Sequence, residues 1–207
     1  MQITIFGASG SVGRHAVDQA LAAGHHVTAV TRNRANITRS HPQLQVVEGD
    51  ATDPAVALDA VTGRDAVLVA LGAGRKGGIR EAGTRTVIEA MQQAGVRRLI
   101  CQSTLGAGDS RGNLDFFWKY LMFGAFLRDA YRDHQRQEQL VRACDLDWTI
   151  IRPGAFTDGP RTGEYRHGFS GDDRTSRMKI ARADVADFLL RQLTSEEYLR
   201  RAAAVSY

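Results

Sequence analysis

The chain has 207 residues, 43% of them hydrophobic and 24% charged, a globular composition that excludes intrinsic disorder. Typical domains hold about 100–200 residues, so we expect one domain over residues 1–207. Twenty-seven basic and 23 acidic residues give a net charge of +4, but the arginines alternate with acids, so no nucleic-acid partner is expected. No apolar run reaches the about 20 residues that span a bilayer, which predicts no membrane partner. Two cysteines and no secretory leader predict a cytoplasmic protein.

Short β-rich runs alternate with helical patterns along the chain. Strands are predicted at Gln2–Phe6, His26–Thr31, around 46–47, and at 66–71, 99–102 and 148–151. Helices are predicted from Val12 to a stop at Gly24, at Pro54–Val61 with Asp53 as its N-cap, before Gly95, up to 143, and around 185–193. Residues 106–113 are predicted to form a flexible loop, and 154–181 a small lobe over the active site. The alternation predicts an α/β fold with a parallel sheet.

The first predicted turn is rich in glycine. Gly7, Gly10 and Gly13 have the spacing G-x-x-G-x-x-G between a strand and a helix. In a dinucleotide-binding turn these positions allow the tight turn, the close approach of the pyrophosphate and the packing of helix on strand. The free N–H groups of the helix N-terminus favour the phosphates. We therefore predict cofactor contacts from Gly7, Ser9, Gly10, Ser11, Val12 and Gly13.

The residues after the second strand indicate which dinucleotide binds. NAD-selective sites place an acid there, whereas this chain has Arg32 and Arg34. Arginine offers planar donors that suit a 2′-phosphate, and Arg14 adds a further candidate contact. We therefore predict NADP(H) as the cofactor. The alternative is that these arginines are solvated surface charges.

Two further strand ends are predicted to touch the cofactor. Asp50 and Ala51 follow the third strand, where the adenine would lie, although Asp50 could instead cap a turn. The fourth strand ends in small residues that would let the dinucleotide cross the sheet edge. They are Leu71, Gly72 and Ala73.

The chain resembles the atypical short-chain dehydrogenase/reductase superfamily, which is NmrA-like and binds NAD(P). The resemblance is carried by the glycine turn, Gly49-Asp50, the strand end 101–104 and the turn 151–154. The C-terminal part is similar to the flavin reductase/biliverdin-IXβ reductase group, through the run 162–165 and Asp184. The resemblance implies a doubly wound parallel Rossmann sheet with helices on both faces and a small irregular C-terminal substrate lobe. It also implies a nicotinamide site between the strand end at Ser103 and Thr104 and the turn at Pro153 and Gly154.

The superfamily's usual Tyr-x-x-x-Lys pair is missing, because Tyr131 is followed four residues later by Gln135. We predict Ser103 and His134 as catalytic residues, with His134 as the proton donor, since its ordinary pKa is near neutrality. A serine that ends its strand and a surface histidine are the alternatives. The aromatic stretch 116–126 is expected to wall a planar substrate, or to be core or a contact surface.

The missing pair favours one class of acceptor. A carbonyl needs an acid to protonate the forming alkoxide, whereas a conjugated ring system spreads the charge. We therefore predict an NADPH-dependent reductase of a planar conjugated acceptor, a flavin or a biliverdin-like tetrapyrrole, acting as a monomer or homodimer. An NADP(H)-binding redox sensor with a protein partner and a reductase or isomerase of small carbonyl compounds remain alternatives. The six histidines lack ligand spacing, so no metal is predicted.

Overall fold

A computed structural model describes residues 1–72, 74, 77–171 and 173–207. Its strands are β1 (Gln2–Phe6), β2 (His26–Thr31), β3 (Leu44–Glu48), β4 (Ala66–Val69), β5 (Arg98–Gln102), β6 (Asp147–Pro153), β7 (Ala155–Thr157), β8 (Arg166–His167), β9 (Lys179–Ala181) and β10 (Arg201–Ser206). Its α-helices are α1 (Gly13–Ala22), α2 (Pro54–Val61), α3 (Ile79–Ala94), α4 (Arg128–Ala143) and α5 (Arg182–Arg191). Two 3₁₀ helices (Arg34–Asn36 and Gly108–Asn113) and a π-helix (Phe117–Phe126) complete the described helices.

The main sheet has the strand order β3-β2-β1-β4-β5-β6-β10-β8. Its neighbours pair in parallel, except that β8 runs antiparallel to β10. The chain builds outward from β1 to β3 and then returns to the other side of β1 through β4. This reversal confirms the predicted doubly wound fold, and it opens a crevice at the carboxyl ends of β1 and β4, where such sheets bind ligands.

Apolar side chains from helices cover both faces of the sheet. Ile3 and Ile5 of β1 pack with α1 and α5, whereas Phe6 points to the face that carries α2, α3 and α4. Strands buried on both faces are continuous apolar runs, as the four buried residues of β4 show. The two cores fix the strand ends, and these ends carry most of the predicted site residues.

The helix ends follow local sequence chemistry. Asp53 caps α2 by accepting a hydrogen bond from the N–H of Ala55 at 2.9 Å, as predicted. Gly95 ends α3 in the left-handed conformation with a φ of +72°, which glycine adopts without a Cβ penalty. Among the described residues, no helix is both long and apolar enough to cross a membrane.

The expected flexible loop at 106–113 is instead an ordered segment that ends in the 3₁₀ helix Gly108–Asn113. The hydroxyl of Ser110 accepts from the N–H of Gly106 at 2.9 Å and donates to the carbonyl of Ala107 at 2.7 Å. The amide of Asn113 donates to the carbonyls of Ser170 and Asp173, each at 2.8 Å. These hydrogen bonds from side chains to backbone groups, together with the burial of Ala107 and Leu114, explain the difference.

The C-terminal part holds strands that the sequence analysis missed. Strand β10 pairs with β6 and extends the main sheet. Within 154–181, β7 and β9 form a separate two-stranded parallel sheet, and β8 joins the main sheet beside β10. The predicted lobe therefore contains regular structure and adjoins the carboxyl ends of the central strands.

Candidate active site

A cavity of about 830 Å³ lies along the carboxyl ends of the central strands. Ligand sites commonly enclose about 300–1,000 Å³, so this cavity is large enough for an extended ligand. The predicted site residues that line it are Gly7, Ser9, Gly10, Ser11, Val12, Arg32, Asp50, Ala51, Leu71, Gly72, Ser103, Thr104, His134, Pro153 and Gly154. The fold thus brings most of the separately predicted residues into one site.

The glycine turn has the geometry that its spacing predicts. Gly7 has a φ of +79°, and a Cβ there would collide with the carbonyl of Ala70. A Cβ on Gly13 would collide with the carbonyl of Gly7, so Gly13 lies behind the cavity and serves the packing of α1. Val12, at the N-cap of α1, makes no side-chain hydrogen bond to the helix. The start of α1 is therefore uncapped toward the cavity, as an anion-binding helix end requires.

The predicted arginines separate in the structure. Arg32 lines the cavity at the end of β2. Arg34 lies outside it, where its Nη1 donates to the carbonyl of Val46 at 3.1 Å and its N–H donates to Glu48 at 3.1 Å. Arg14 is exposed on α1 and is also outside the lining. The structure thus places Arg32 at the cavity, whereas Arg14 and Arg34 lie outside its lining. The predicted cofactor residue Ala73 lies outside the described residues.

Asp50 lines the adenine end of the predicted site and also shapes its turn. Its Oδ1 accepts from the N–H and the hydroxyl of Thr52, at 2.9 and 2.7 Å. These hydrogen bonds, with a smaller contribution from the Arg32 charge, lower the pKa of Asp50. Asp50 is therefore a turn-capping carboxylate that also faces the cavity.

Ser103 occupies the end of β5 with its hydroxyl free. Its residue is 1% exposed, and its Oγ has no hydrogen-bond partner among the described residues. Its N–H donates to the carbonyl of Ile151 at 2.7 Å, so the backbone ends the strand without the hydroxyl. A buried hydroxyl without a partner costs free energy, which a bound ligand would recover.

The turn at Pro153 and Gly154 meets the lobe closely. A Cβ on Gly154 would lie 2.8 Å from the backbone of Met178. Met178 itself has a φ of +53° and lines the cavity. A left-handed backbone in a residue other than glycine marks local strain, which often accompanies ligand sites.

His134 lines the cavity from α4, and its burial disfavours the predicted role as proton donor. The residue is 9% exposed, which also excludes the surface alternative. Burial lowers the pKa of His134 to about 3, and the nearby Arg80 charge acts in the same direction. The imidazole is therefore neutral near physiological pH, and its Nδ1 has no partner in the described part of the chain.

Aromatic side chains wall the cavity beyond Ser103. Trp118, Phe123 and Tyr131 line it, and the rings of Phe123 and Tyr131 stack with centroids 4.8 Å apart. The hydroxyl of Tyr131 donates to the carbonyl of Gly106 at 2.9 Å, and burial raises the pKa of Tyr131. Phe116, directly before the π-helix, is 78% exposed. The aromatic stretch thus supplies both a pocket wall and an outer surface.

Sequence reasoning missed two charged lining residues. Arg80 lies in the first turn of α3 and is 7% exposed, and Arg182 begins α5. Neither belongs to a motif. Their positions in the sequence could have indicated a role in the site. Each residue lies at the start of a helix that follows a strand end, and ligands of this fold bind at such ends.

A family model described as NAD(P)H-binding matches residues 7–196. The chain belongs to this NAD(P)H-binding family. The match confirms the predicted nicotinamide dinucleotide cofactor, and the glycine turn and free α1 end fit it. The yeast UPF0659 protein YMR090W is 30% identical, with 93% of this chain and 87% of that protein covered. The uncharacterized protein YwnB of Bacillus subtilis is also 30% identical, with 81% and 79% covered.

Solved structures place the chain among oxidoreductases of this fold. ChuY of Escherichia coli O157:H7, described as an anaerobillin reductase, is 27% identical with a TM-score of 0.83, covering 100% of this chain and 97% of that one. A short-chain dehydrogenase/reductase of Veillonella parvula, solved in complex with NADP, is 20% identical with a TM-score of 0.82, covering 100% and 94%. The predicted superfamily is confirmed.

Proposed function

We propose that this protein is an NADPH-dependent reductase that transfers hydride to a planar conjugated acceptor, a flavin or a bilin-like tetrapyrrole. The observation that carries the proposal is the aromatic wall of Trp118, Phe123 and Tyr131 next to a strand end that offers a free Ser103 hydroxyl. Aromatic faces bind planar conjugated rings well. The similarity to ChuY, which is described as an anaerobillin reductase, supports the same class.

The polar groups near the aromatic wall argue against a small carbonyl substrate. His134 is neutral. Tyr131 has a raised pKa, and its hydroxyl already donates a hydrogen bond to the carbonyl of Gly106. Four residues beyond Tyr131 stands Gln135, which carries no charge to lower that pKa. An alkoxide would therefore lack an efficient acid here, whereas charge spread over a conjugated acceptor is protonated by solvent.

Arg32 supports NADPH over NADH. It faces the cavity beside Asp50 at the end of β2, the position that contacts the adenine ribose in this fold. Its planar donors suit a 2′-phosphate, and a structural neighbour was solved with NADP.

Each end of the cavity has a distinct task in this proposal. The backbone of the glycine turn and the free end of α1 bind the pyrophosphate. Bound NADPH supplies the hydride. The Ser103 hydroxyl orients the nicotinamide amide or the acceptor, Gly154 leaves room for the Met178 backbone to close the site, and the aromatic wall excludes water from one face of the acceptor.

Steady-state oxidation of NADPH with FMN, FAD, biliverdin and a set of small aldehydes and ketones tests the proposal. We expect turnover with at least one conjugated acceptor, faster with NADPH than with NADH, and little with the carbonyl compounds. Ser103→Ala should lower turnover several-fold, whereas Ser40→Ala, on the exposed surface, should not. Tight NADPH binding without turnover on any conjugated acceptor would refute the reductase and favour a redox sensor.

A further inference from the structure

The Arg80 side chain forms part of the cavity wall near the end of β4. It projects from the first turn of α3, and a Cβ on Gly72 would lie 3.6 Å from its Nη2. Only 7% of the residue is exposed. A buried guanidinium that faces a cavity needs acceptors, because desolvation of its charge is unfavourable.

The protein supplies few acceptors for this charge. Arg80 Nη1 is 3.4 Å from Asp133 Oδ2, and its Nε has no partner among the described residues. The Asp133 carboxylate also accepts the N–H groups of Arg80 and Glu81, at 3.1 and 2.9 Å, and so caps α3. Asp133 is therefore shared between two tasks, and the guanidinium keeps donors for a ligand.

Two further buried groups near this place lack partners. Ser103 Oγ and His134 Nδ1 have none in the described ranges, and both residues are at least nine-tenths buried. Arg80 and His134 line the same cavity, and the Arg80 charge contributes to the lowered pKa of His134. A neutral imidazole donates one N–H and does not repel a cation, so it can support a bound anion beside Arg80.

The charge of the cavity favours anions at this end. Its described lining carries Arg32, Arg80 and Arg182 and one carboxylate, Asp50. Arg32 and Asp50 lie at the adenine end. Arg182 donates to Asp158 at 2.7 Å, and although its Nε also lacks a partner in the described part of the chain, its side chain is 23% exposed against 9% for that of Arg80. Arg80 is thus the more deeply buried of these two lining cations, and its charge is only partly compensated.

We propose that Arg80 is a specificity-determining residue that binds a carboxylate of the acceptor. This inference rests on the proposed function and narrows its substrate class to conjugated acceptors that carry an acidic side chain. Bound NADPH would bring two other anions, but the glycine turn and the start of α1 provide donors for its pyrophosphate, and Arg32 provides donors for its 2′-phosphate.

Binding of biliverdin and of its dimethyl ester to the NADP⁺-loaded protein, followed by fluorescence quenching, tests the inference. The wild type should bind the free acid about tenfold or more tightly than the ester, as a charge-assisted hydrogen bond predicts. Arg80→Met should remove this preference, and Arg80→Lys should restore part of it. Arg85→Met, on the exposed side of the same helix, is the control and should leave the preference unchanged.

The outcomes separate the inference from the proposed function. A wild type that binds ester and acid equally, or an Arg80→Met protein that keeps the preference, would overturn the role of Arg80. Weaker NADP⁺ binding with an unchanged acid preference would also overturn it, because Arg80 would then serve the cofactor. Arg80-dependent binding without turnover would refute the reductase and leave the anion site standing. Residue 80 and Glu81 keep their backbone N–H groups in each variant, so Asp133 can still cap α3, and an unfolding measurement on each variant checks that the fold is kept.

Discussion

Arg32 and Arg34 stand two residues apart at the end of β2, and the fold gives them different surroundings. Arg32 faces the cavity, whereas Arg34 is bonded to Val46 and Glu48 outside it. Sequence position alone could not separate the two, because the direction of each side chain depends on the 3₁₀ helix Arg34–Asn36. The pair therefore offers a variant and its matched control.

Arg32→Ala should raise the KM for NADPH about tenfold or more and leave the KM for NADH nearly unchanged, since one charge-assisted contact to the 2′-phosphate is lost. Arg34→Ala should change neither value. Steady-state kinetics with both cofactors measures the effect. An equal rise in KM for NADPH and for NADH would contradict the assignment of Arg32 to the 2′-phosphate.

His134 should make stability depend on pH. Its folded pKa of about 3 is below the ordinary value of 6.5, so between these values the unfolded chain binds a proton that the folded chain excludes. Its contribution to stability is therefore complete above pH 6.5 and is lost as the pH falls toward 3. The slope is about 1.4 kcal/mol per pH unit.

Denaturant unfolding of the wild type and of His134→Gln between these pH values measures this dependence. The substitution should flatten the wild-type slope, whereas His26→Gln, at an exposed position, should retain it. Parallel slopes for the wild type and His134→Gln would show that His134 is not buried as a neutral group.

The packing of α1 on the glycine turn depends on the missing side chain of Gly13. Gly13→Ala would press a Cβ against the carbonyl of Gly7. We expect it to destabilise the fold by about 1–3 kcal/mol and to weaken NADPH binding, because the end of α1 must move away from the turn. A Cβ on Gly159 would lie 3.8 Å from that of Ala181, an ordinary contact, so Gly159→Ala is the control. Denaturant unfolding and NADPH titration compare the two variants. Equal stability and equal NADPH affinity for Gly13→Ala and Gly159→Ala would contradict the packing role of Gly13.

A buried ion pair joins α4 to β6. Arg152 Nε and Nη2 donate to the two oxygens of Glu138 at 2.9 and 2.6 Å, and both residues are 3% exposed. Arg152 also bonds Asp109 of the 3₁₀ helix. The pair thus fixes three elements around the aromatic wall.

Glu138→Gln should destabilise the protein by about 3 kcal/mol, because the Arg152 charge stays buried with less compensation. Arg97→Gln breaks the exposed Arg97–Asp147 pair and should have a much smaller effect. Thermal and denaturant unfolding compare the two. If Glu138→Gln lowered the free energy of unfolding no more than Arg97→Gln does, the structural role of the Arg152–Glu138 pair would be contradicted.

Elements that depend on local sequence patterns could be predicted from the sequence. Elements that depend on contacts with distant parts of the chain could not. The strand–turn–helix around Gly7 and the cap at Asp53 depend on neighbouring residues. Strand β10 and the 3₁₀ helix Gly108–Asn113 depend on partners far along the chain, such as β6 and the carbonyl of Ser170. The same holds for the site: glycine positions were predictable, whereas the burial of His134 and Arg80 required the packing of α3 against α4.

For the molecule as a whole, two helical layers hold a parallel sheet whose carboxyl edge carries one continuous cavity. Donors for a dinucleotide lie at one end of this edge, and the aromatic wall lies at the other. This division into a cofactor end and an acceptor end is the basis of the proposed hydride transfer.

Anaerobic mixing of the NADPH-loaded protein with biliverdin or FMN tests this account most directly. Absorbance would follow the cofactor and the acceptor together in a single turnover. The account predicts that NADPH is lost and the acceptor is reduced in equal amounts, at a rate that Ser103→Ala lowers. Persistence of bound NADPH beside an unreduced acceptor, with both shown to be bound, would contradict it.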